Sequence, residues 1–85
     1  GGRRETICLE FENSLAGVLI DRFGPDIMIM SREEECSITR VQVNVSDQFF
    51  GWLSALGKRV KIVSPENVRR EYRDFLKRAL ENYEG

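Results

Sequence analysis

Three basic side chains repeat at four-residue spacing near the C-terminus, and they are the strongest candidates for binding chemistry in this chain. They are Arg69, Arg73 and Lys77, on one side of a predicted helix over 68–83. No acidic residue shares this row until Glu81, so its like charges repel by roughly a few tenths of a kcal/mol. We interpret the row as a binding face for an anionic ligand or an acidic partner. The alternative is a solvated surface whose long side chains turn outward.

The adjacent row of the same helix alternates in charge. Four residues follow one another at four-residue spacing, which predicts a ladder of surface ion pairs. Exposed pairs of this kind contribute less than about 1 kcal/mol each. We therefore expect the two arginines of this row to matter less for binding than the first row. The row consists of Glu66, Arg70, Asp74 and Arg78.

A second basic group is predicted on one face of a β-sheet. Alternation of apolar and polar residues puts Arg40, Arg59 and Lys61 on a polar face that points away from the core. Glu10 and Glu12 are expected between them, where opposite charges on facing strands stabilise a sheet by roughly 0.2–1 kcal/mol per pair. Ligand binding is the alternative role for this face, although it lacks the aromatic pair with which sheet modules stack RNA bases.

The residues that catalysis usually needs are missing. The chain contains no histidine, which removes the usual general base and the commonest metal ligand. No nucleophile-elbow, phosphate-loop, zinc-protease or dinucleotide motif occurs. Cys8 and Cys36 lack a base and fit free thiols in a reducing compartment; one disulfide between them is the alternative. The sequence predicts a protein that is not an enzyme and needs no cofactor or metal. An acylphosphatase-like enzyme is the weakest alternative, because no convincing glycine-rich phosphate loop follows the first strand.

Composition and charge fit one small domain spanning residues 1–85. Apolar residues make up 41% and charged residues 32%, as in ordinary globular proteins, and no apolar run approaches the length of a membrane span. The net charge of −1 argues against general nucleic-acid binding. The charge is uneven, however: residues 1–57 carry five basic and nine acidic side chains, and residues 58–78 carry eight basic and three acidic. We expect a cytoplasmic protein whose basic segment faces an anionic partner or complements the acidic remainder of the protein.

The apolar pattern predicts seven elements in the order βαββαβ plus one helix. That order indicates an α+β fold, a ferredoxin-like βαββαβ sandwich with an added C-terminal helix. Helix starts are predicted at Asn13-Ser14, Ser46 and Ser64-Pro65, and Gly57 is expected to close the second helix in the left-handed conformation. The predicted strands cover 7–12, 26–31, 37–45 and 59–63; the predicted helices begin after the caps and end near 23, 56 and 83. The alternation in these strands predicts that eight apolar residues face the helices: Ile7, Leu9, Phe11, Val41, Val43, Val45, Val60 and Ile62.

The second strand is apolar on both faces, because Ile27–Met30 alternates isoleucine with methionine. In a ferredoxin-like sheet this strand lies at an edge, and an apolar edge needs a covering domain or subunit. Together with the apolar stripe of the final helix, it predicts a homodimer or a partner domain. Trp52 is expected at the edge of the core. Gly51 is expected to admit close approach of a neighbouring backbone.

The segment from Phe49 to Tyr83 carries a resemblance to a known family. It reads FFGWLSALGKRVKIVSPENVRREYRDFLKRALENY: a helix with W-L-x-x-x-G, a short strand, a P-x-x-x-R step at Pro65–Arg69, and a helix that ends in Tyr. This run resembles the C-terminal extension domain of bacterial WYL-domain (winged helix-turn-helix) transcription regulators. The resemblance implies the same ferredoxin-like fold, and it singles out Arg69.

The resemblance also implies partners. In that family a winged helix-turn-helix binds DNA, a WYL domain senses a ligand, and the C-terminal extension contributes to dimer contacts and helps to frame the effector site. For this chain it implies a WYL domain of the same or a second subunit as partner, and a nucleotide or single-stranded nucleic acid as effector. It further implies DNA contact only through a missing N-terminal domain and a homodimer of the full-length protein. The lack of a long apolar run predicts no membrane partner. A free-standing ferredoxin-like module that binds a small molecule is the alternative function.

Overall fold

The computed structural model describes residues 2–85, which form a four-stranded antiparallel sheet and three α-helices. Two short 3₁₀ turns, Asn13–Leu15 and Gly57–Arg59, precede the first helix and the last strand. The strands are β1 (Arg3–Glu12), β2 (Ile29–Ser31), β3 (Cys36–Val45) and β4 (Val60–Ser64), and the helices are α1 (Ala16–Phe23), α2 (Asp47–Ala55) and α3 (Glu66–Glu81).

The sheet has the strand order β2-β3-β1-β4. β1 pairs with β3 along its whole length, from Arg3 opposite Val45 to Glu12 opposite Cys36. It pairs with β4 only over its C-terminal half, and β2 pairs only with Ser37–Thr39 of β3. The first strand therefore lies between the third and the fourth, as in a ferredoxin-like sandwich. The predicted fold class, α+β with an added C-terminal helix, is confirmed.

The core lies between one face of the sheet and the helices. Successive side chains of a strand point to opposite faces, so alternate residues of each strand share the buried face. Fully burying an aliphatic or aromatic side chain contributes roughly 1.5–3 kcal/mol, which makes this face the main source of stability. All eight strand residues predicted to face the helices are buried: Ile7, Leu9, Phe11, Val41, Val43, Val45, Val60 and Ile62.

The first half of α3 completes this core. Val68 is fully buried, and the ring centroid of Phe50 lies 5.3 Å from that of Tyr72 and 5.6 Å from that of Phe75. Tilted aromatic pairs of this kind add about 0.5–1.5 kcal/mol beyond their burial. Arg3 also donates hydrogen bonds to Glu71, which ties the start of β1 to α3. No helix formed by residues 2–85 combines the length and apolarity needed to cross a bilayer.

Two local signals at helix ends are confirmed. The hydroxyl of Ser46 accepts a hydrogen bond from the backbone N–H of Phe49 at 3.2 Å, so it caps α2 as predicted. Gly57 has a φ of 65°, the left-handed conformation predicted for the end of this helix. These two residues fix where α2 begins and ends between β3 and β4.

The other two predicted caps are wrong. Asn13 does not cap α1; its side chain donates to the Glu34 carbonyl and accepts from the Ser37 hydroxyl at 2.6 Å, which holds the β2–β3 turn against the end of β1. Ser64 does not cap α3, because it remains in β4 opposite Cys8. Pro65 takes the N-cap position instead. At both positions the polar residue before the helix makes contacts with the sheet instead of capping the helix.

The prediction for Gly51 is also wrong. A Cβ at this position would meet no heavy atom within 4 Å, so the glycine admits no close approach. Trp52 lies at the edge of the core as predicted, half-buried, with its ring 5.6 Å from that of Phe23. The guanidinium carbon of Arg22 lies 4.7 Å from the Trp52 ring centroid. This cation covers the aromatic face that a stacked ligand would need.

Candidate anion-binding surface on α3

The three predicted basic residues of α3 have different surroundings: Arg69 has partners in the part of the chain that the structure describes, and Arg73 and Lys77 do not. Arg69 is half-buried: its Nη1 donates to the Val63 carbonyl at 3.3 Å, and its Nε lies 3.6 Å from Glu66 Oε1. The prediction that Arg69 has no acidic neighbour is therefore wrong. Glu66 lies three residues earlier on the helix, a spacing that places two side chains side by side. Arg69 links α3 to the end of β4, and its charge is partly balanced.

Arg73 and Lys77 are exposed on the surface of α3. Within residues 2–85, neither forms an ion pair. Each precedes an exposed leucine by three residues, so that each cation neighbours an apolar side chain on the helix surface. Leu76 is 41% exposed and Leu80 is 53% exposed. From Arg73 to Leu80, α3 thus offers two cations that have no ion pair within residues 2–85, beside exposed leucines.

The predicted ladder of ion pairs on the adjacent row does not form. Glu66 contacts Arg69 rather than Arg70. Arg78 approaches Asp47 at the start of α2, with 3.9 Å between Nη2 and Oδ1. Both partners of that contact are mostly exposed, so it contributes little to stability. Packing of α3 beside α2 brings Asp47 within reach, which the spacing of residues along one helix could not reveal.

The basic group predicted on the polar sheet face is only partly assembled. Lys61 lies opposite Glu10, as predicted. Arg40 lies opposite Cys8 instead, because the register of β1 and β3 shifts it two residues away from Glu10. Arg59 lies in the 3₁₀ turn before β4 and not on the sheet. A residue that the sequence did not single out, Arg32 of the β2–β3 turn, lies 3.6 Å from the Glu10 carboxylate.

One cation of this face was missed altogether. Arg4 donates to the Gln42 side chain at 3.3 Å, and together with Arg40 it lines an open groove of about 570 Å³ at the β2–β3 side of the sheet. The groove also includes Met28 and Ile38. The prediction began β1 at residue 7, so Arg4 was left outside the sheet. Residues 3–6 are all polar, so the apolar–polar alternation carries no signal for the first four residues of β1.

The two cysteines stand far apart. The β1–β3 register places Cys8 opposite Arg40 and Cys36 opposite Glu12, four residues apart along the sheet, and both thiols are free. At about 3.4 Å per residue this separation exceeds the reach of a disulfide. Burial and the nearby carboxylate of Glu33 raise the pKa of the Cys36 thiol, which lowers its reactivity at neutral pH. Residues 2–85 also hold no cluster of side chains suited to a metal ion.

Comparison with known proteins and protein families shows which family the chain belongs to. The comparison with curated proteins gave no match. The family model of the WCX domain matches residues 3–80, which includes every strand and nearly all of α3. The match therefore extends over both the sheet and the helix that carries Arg69, Arg73 and Lys77. The chain belongs to the WCX domain family, the C-terminal extension of WYL-domain transcription regulators.

Proposed function

We propose that residues 1–85 form one domain, the regulatory and non-catalytic C-terminal domain of a bacterial, cytoplasmic transcription regulator. It contributes to dimerisation and helps to frame the effector site, whose ligand is a nucleotide or single-stranded nucleic acid. The observation that carries the proposal is the pair of unbalanced cations, Arg73 and Lys77, beside the exposed leucines of α3. Family membership supplies the regulatory context.

The charge distribution supports an anionic ligand on α3. The chain as a whole has a net charge of −1, so it has little general attraction for nucleic acid. The excess of positive charge lies in 58–78, with eight basic and three acidic residues. A phosphate that accepts a hydrogen bond from a cation gains roughly 1.5–3 kcal/mol per contact. A short anionic strand along α3 would meet this charge without a large basic surface elsewhere.

The apolar stripe of α3 supports a protein partner beside the ligand. Leu76 and Leu80 are exposed on the part of the helix that extends past the core, and Tyr83, in the turn that follows the helix, is 87% exposed. Exposed apolar residues at helical spacing are typical of a surface that another domain covers. In our proposal the WYL domain of the same or a second subunit packs on these residues. The effector then lies between that domain and the two cations.

A comparison of two double variants in the intact regulator tests this proposal. Arg73→Ala with Lys77→Ala removes two unbalanced cations, and Arg70→Ala with Arg78→Ala removes the same charge from the adjacent row. With a single-stranded oligonucleotide as probe, we expect the first variant to raise the dissociation constant at least tenfold, since each lost contact is worth about 1.5–3 kcal/mol. Arg70 forms no ion pair within residues 2–85 either, but neither Arg70 nor Arg78 neighbours Leu76 or Leu80 on the helix surface. We therefore expect less than a threefold change for the second variant.

The salt dependence of binding provides an independent readout. Each phosphate contact to a single strand contributes about −0.7 to the slope of log K against log salt. The Arg73 and Lys77 variant should therefore reduce the slope by about 1.4, and the control variant should leave it nearly unchanged. Equal weakening by both variants would mean that binding follows total charge. No weakening by either would mean that α3 carries only a solvated face, and both results contradict the proposal.

A further inference from the structure

The outer side of β3 has no strand partner over half its length. On this outer side β2 pairs with Ser37–Thr39 only. The stretch from Arg40 to Val45, whose other side pairs with β1, has no strand beside it here among residues 2–85. A strand edge of this kind presents backbone donors and acceptors to any extended chain that approaches. We call the outward side of Arg40–Asn44 the free edge.

The structure explains why β2 ends where it does. Continuing the β2–β3 register would place Met28 opposite Arg40. The Met28 carbonyl instead accepts a hydrogen bond from the Thr39 hydroxyl at 2.8 Å. The chain before Ile29 therefore leaves the sheet, and the prediction that this strand begins at Asp26 is wrong. The Thr39 hydroxyl binds the Met28 carbonyl, so Met28 does not pair with Arg40. The free edge therefore begins at Arg40.

Two turn hydrogen bonds fix which residues point outward. The Asn13 N–H donates to the Glu35 carbonyl at 2.8 Å, on the β1 side, and the Arg32 N–H donates to the Cys36 carbonyl at 3.0 Å, on the opposite side. Direction alternates from one residue to the next in an antiparallel strand. Even-numbered residues of β3 therefore direct their N–H and C=O groups away from β1. On the free edge these residues are Arg40, Gln42 and Asn44.

The free edge lacks the features that usually protect an exposed strand. Neither proline nor lysine occurs in it, and the register shift of the sheet lies between Cys8 and Leu9, on the β4 side of β1. The Ser46 hydroxyl lies 3.4 Å from the Asn44 carbonyl, a long contact that leaves this acceptor accessible. The groups of Arg40 and Gln42 have no such neighbour in residues 2–85.

We propose that a second copy of this chain pairs with the free edge, so that two β3 strands meet antiparallel across a two-fold axis at Gln42. In this register Gln42 exchanges both backbone hydrogen bonds with Gln42 of the second copy. Arg40 does the same with Asn44 of the second copy. The site lies away from α3, and the inference rests on the proposed function only in that it names a surface for its dimerisation.

The sequence of the free edge is self-complementary about Gln42. Val41 and Val43 flank it symmetrically, so that each valine faces a valine of the second copy on the core side. The only charge, that of Arg40, falls opposite the neutral Asn44 rather than opposite itself. A two-fold axis at Val41 would pair Asn44 with Ile38 of the second copy, but the outward backbone groups of Ile38 already pair with β2. An axis at Val43 would pair Arg40 with Ser46 of the second copy, and Ser46 lies beyond the end of β3. The two-fold at Gln42 alone uses the whole free edge.

The surroundings of the free edge leave room for a strand and offer apolar surface to cover. The groove of about 570 Å³ and a second one of about 550 Å³ follow the edge, and both are lined by Arg4, Phe23 and Gln42. Met28 is 76% exposed and Met30 is 51% exposed along the same side of the sheet. Covering such side chains contributes roughly 25 cal/mol per Å² of apolar area removed from water. A strand alone would gain less than a second copy that also covers these methionines.

Cysteine cross-linking of the whole 85-residue chain tests the register. In a Cys8→Ala, Cys36→Ser background, Gln42→Cys places two thiols on residues whose Cα atoms lie about 5.5 Å apart in the proposed pair, within the range of a disulfide. Asn44→Cys is the matched control, since it lies on the same strand face and is also exposed. Its two copies would lie about 14 Å apart, at about 3.4 Å per residue. We expect the Gln42→Cys chain to form covalent dimers at least tenfold faster than the control.

Sedimentation equilibrium with the natural cysteines retained provides a second test. Gln42→Lys sets two like charges opposite each other and should weaken association at least tenfold, with partial recovery at high salt. Thr6→Lys, on the β1 residue that pairs with Gln42, adds the same charge away from the edge and should change association less than threefold. The melting temperature at low concentration should not differ between the two variants.

Each outcome decides the inference. Faster cross-linking through Gln42 and selective weakening by Gln42→Lys support it. Equal cross-linking of both cysteine variants, or a dimer that Gln42→Lys leaves intact, would overturn it while dimerisation through another surface stands. A strict monomer at high concentration would also overturn it. Effector binding by Arg73 and Lys77, measured separately in the intact regulator, would then still decide the proposed function.

Discussion

The part of α3 up to Phe75 and the part from Leu76 onward both carry basic and apolar residues, but their surroundings are opposite. In the first half, Val68 is fully buried and Tyr72 and Phe75 pack on Phe50. In the second half, Leu76 and Leu80 have no comparable cover. The apolar stripe of α3 is continuous in sequence, but the sheet and α2 are too short to cover all of it. The difference therefore reflects the size of the core and not the sequence of the helix. The core ends after Phe75, about three turns into the helix, and the stripe continues beyond it.

This division assigns different roles to similar residues. A helix is stabilised mainly by packing of its apolar face, so the first half supports the second through the continuity of backbone hydrogen bonds. Arg69, which lies over the core, finds partners on β4 and within the helix. Lys77, which lies beyond the core, forms no ion pair among residues 2–85. The projecting half is therefore available for contact with other molecules, and the packed half holds it in position.

The sharpest contrast should come from one apolar truncation in each half. Val68→Ala removes fully buried methyl groups and should lower the free energy of unfolding by about 1.5–3 kcal/mol. Leu80→Ala should change it by less than about 0.5 kcal/mol, because the side chain is mostly exposed. Urea denaturation at low protein concentration measures both values. Comparable losses would mean that the second half also packs against the body of the chain.

Arginine variants should show the same contrast at a smaller scale. Arg69→Ala loses the hydrogen bond to the Val63 carbonyl and the exposed pair with Glu66, and should cost about 0.5–1.5 kcal/mol of stability. Arg73→Ala should cost less than about 0.5 kcal/mol, because its side chain has no partner to lose. Urea denaturation of the two variants side by side provides the measurement. If Arg73→Ala is the more destabilising, Arg69 is not the member of the basic row that anchors α3 to β4.

The smallest expected effect is a pH dependence that originates in the packed half. Burial raises the pKa of the Tyr72 hydroxyl above its usual value near 10. The folded state therefore favours the neutral phenol, and its contribution to stability is complete below the unfolded pKa and is lost as the pH rises through the folded pKa. We expect Tyr72→Phe to reduce the loss of stability above about pH 10. Tyr83→Phe, in the exposed turn just after α3, is the matched control. Thermal melts between pH 8 and 11 would detect the difference.

The fold could be predicted because its strands alternate cleanly. Every strand residue that the alternation assigned to the core is buried. Ser46 begins α2 and Gly57 closes it, as their local chemistry indicates. Strand lengths were harder to predict, since they depend on neighbours distant in sequence. Ser64 stays in β4 because Cys8 lies opposite it. The residues before Ile29 leave the sheet because of a hydroxyl on β3, which periodicity does not report.

The candidate site was less predictable than the fold. Helical spacing placed Arg73 and Lys77 on an exposed surface, but it could not show that Arg69 reaches the β4 carbonyl or that Asp47 approaches Arg78. Those contacts follow from tertiary packing, which determines which member of a row finds a partner. The prediction of a basic group on the polar sheet face was only partly right for a related reason: a register offset of two residues separates Arg40 from Glu10. Charge patterns predicted which elements are basic, and packing determined which charges stay unbalanced.

The position of Trp52 has a practical consequence. The chain contains one tryptophan, and its ring touches Phe23 and lies beneath Arg22. Both of these neighbours line the second groove beside β3. A molecule that enters the groove must change the surroundings of the indole through one intervening layer of side chains. The protein therefore carries its own fluorescent reporter at this edge, so that titrations of the groove need no attached dye.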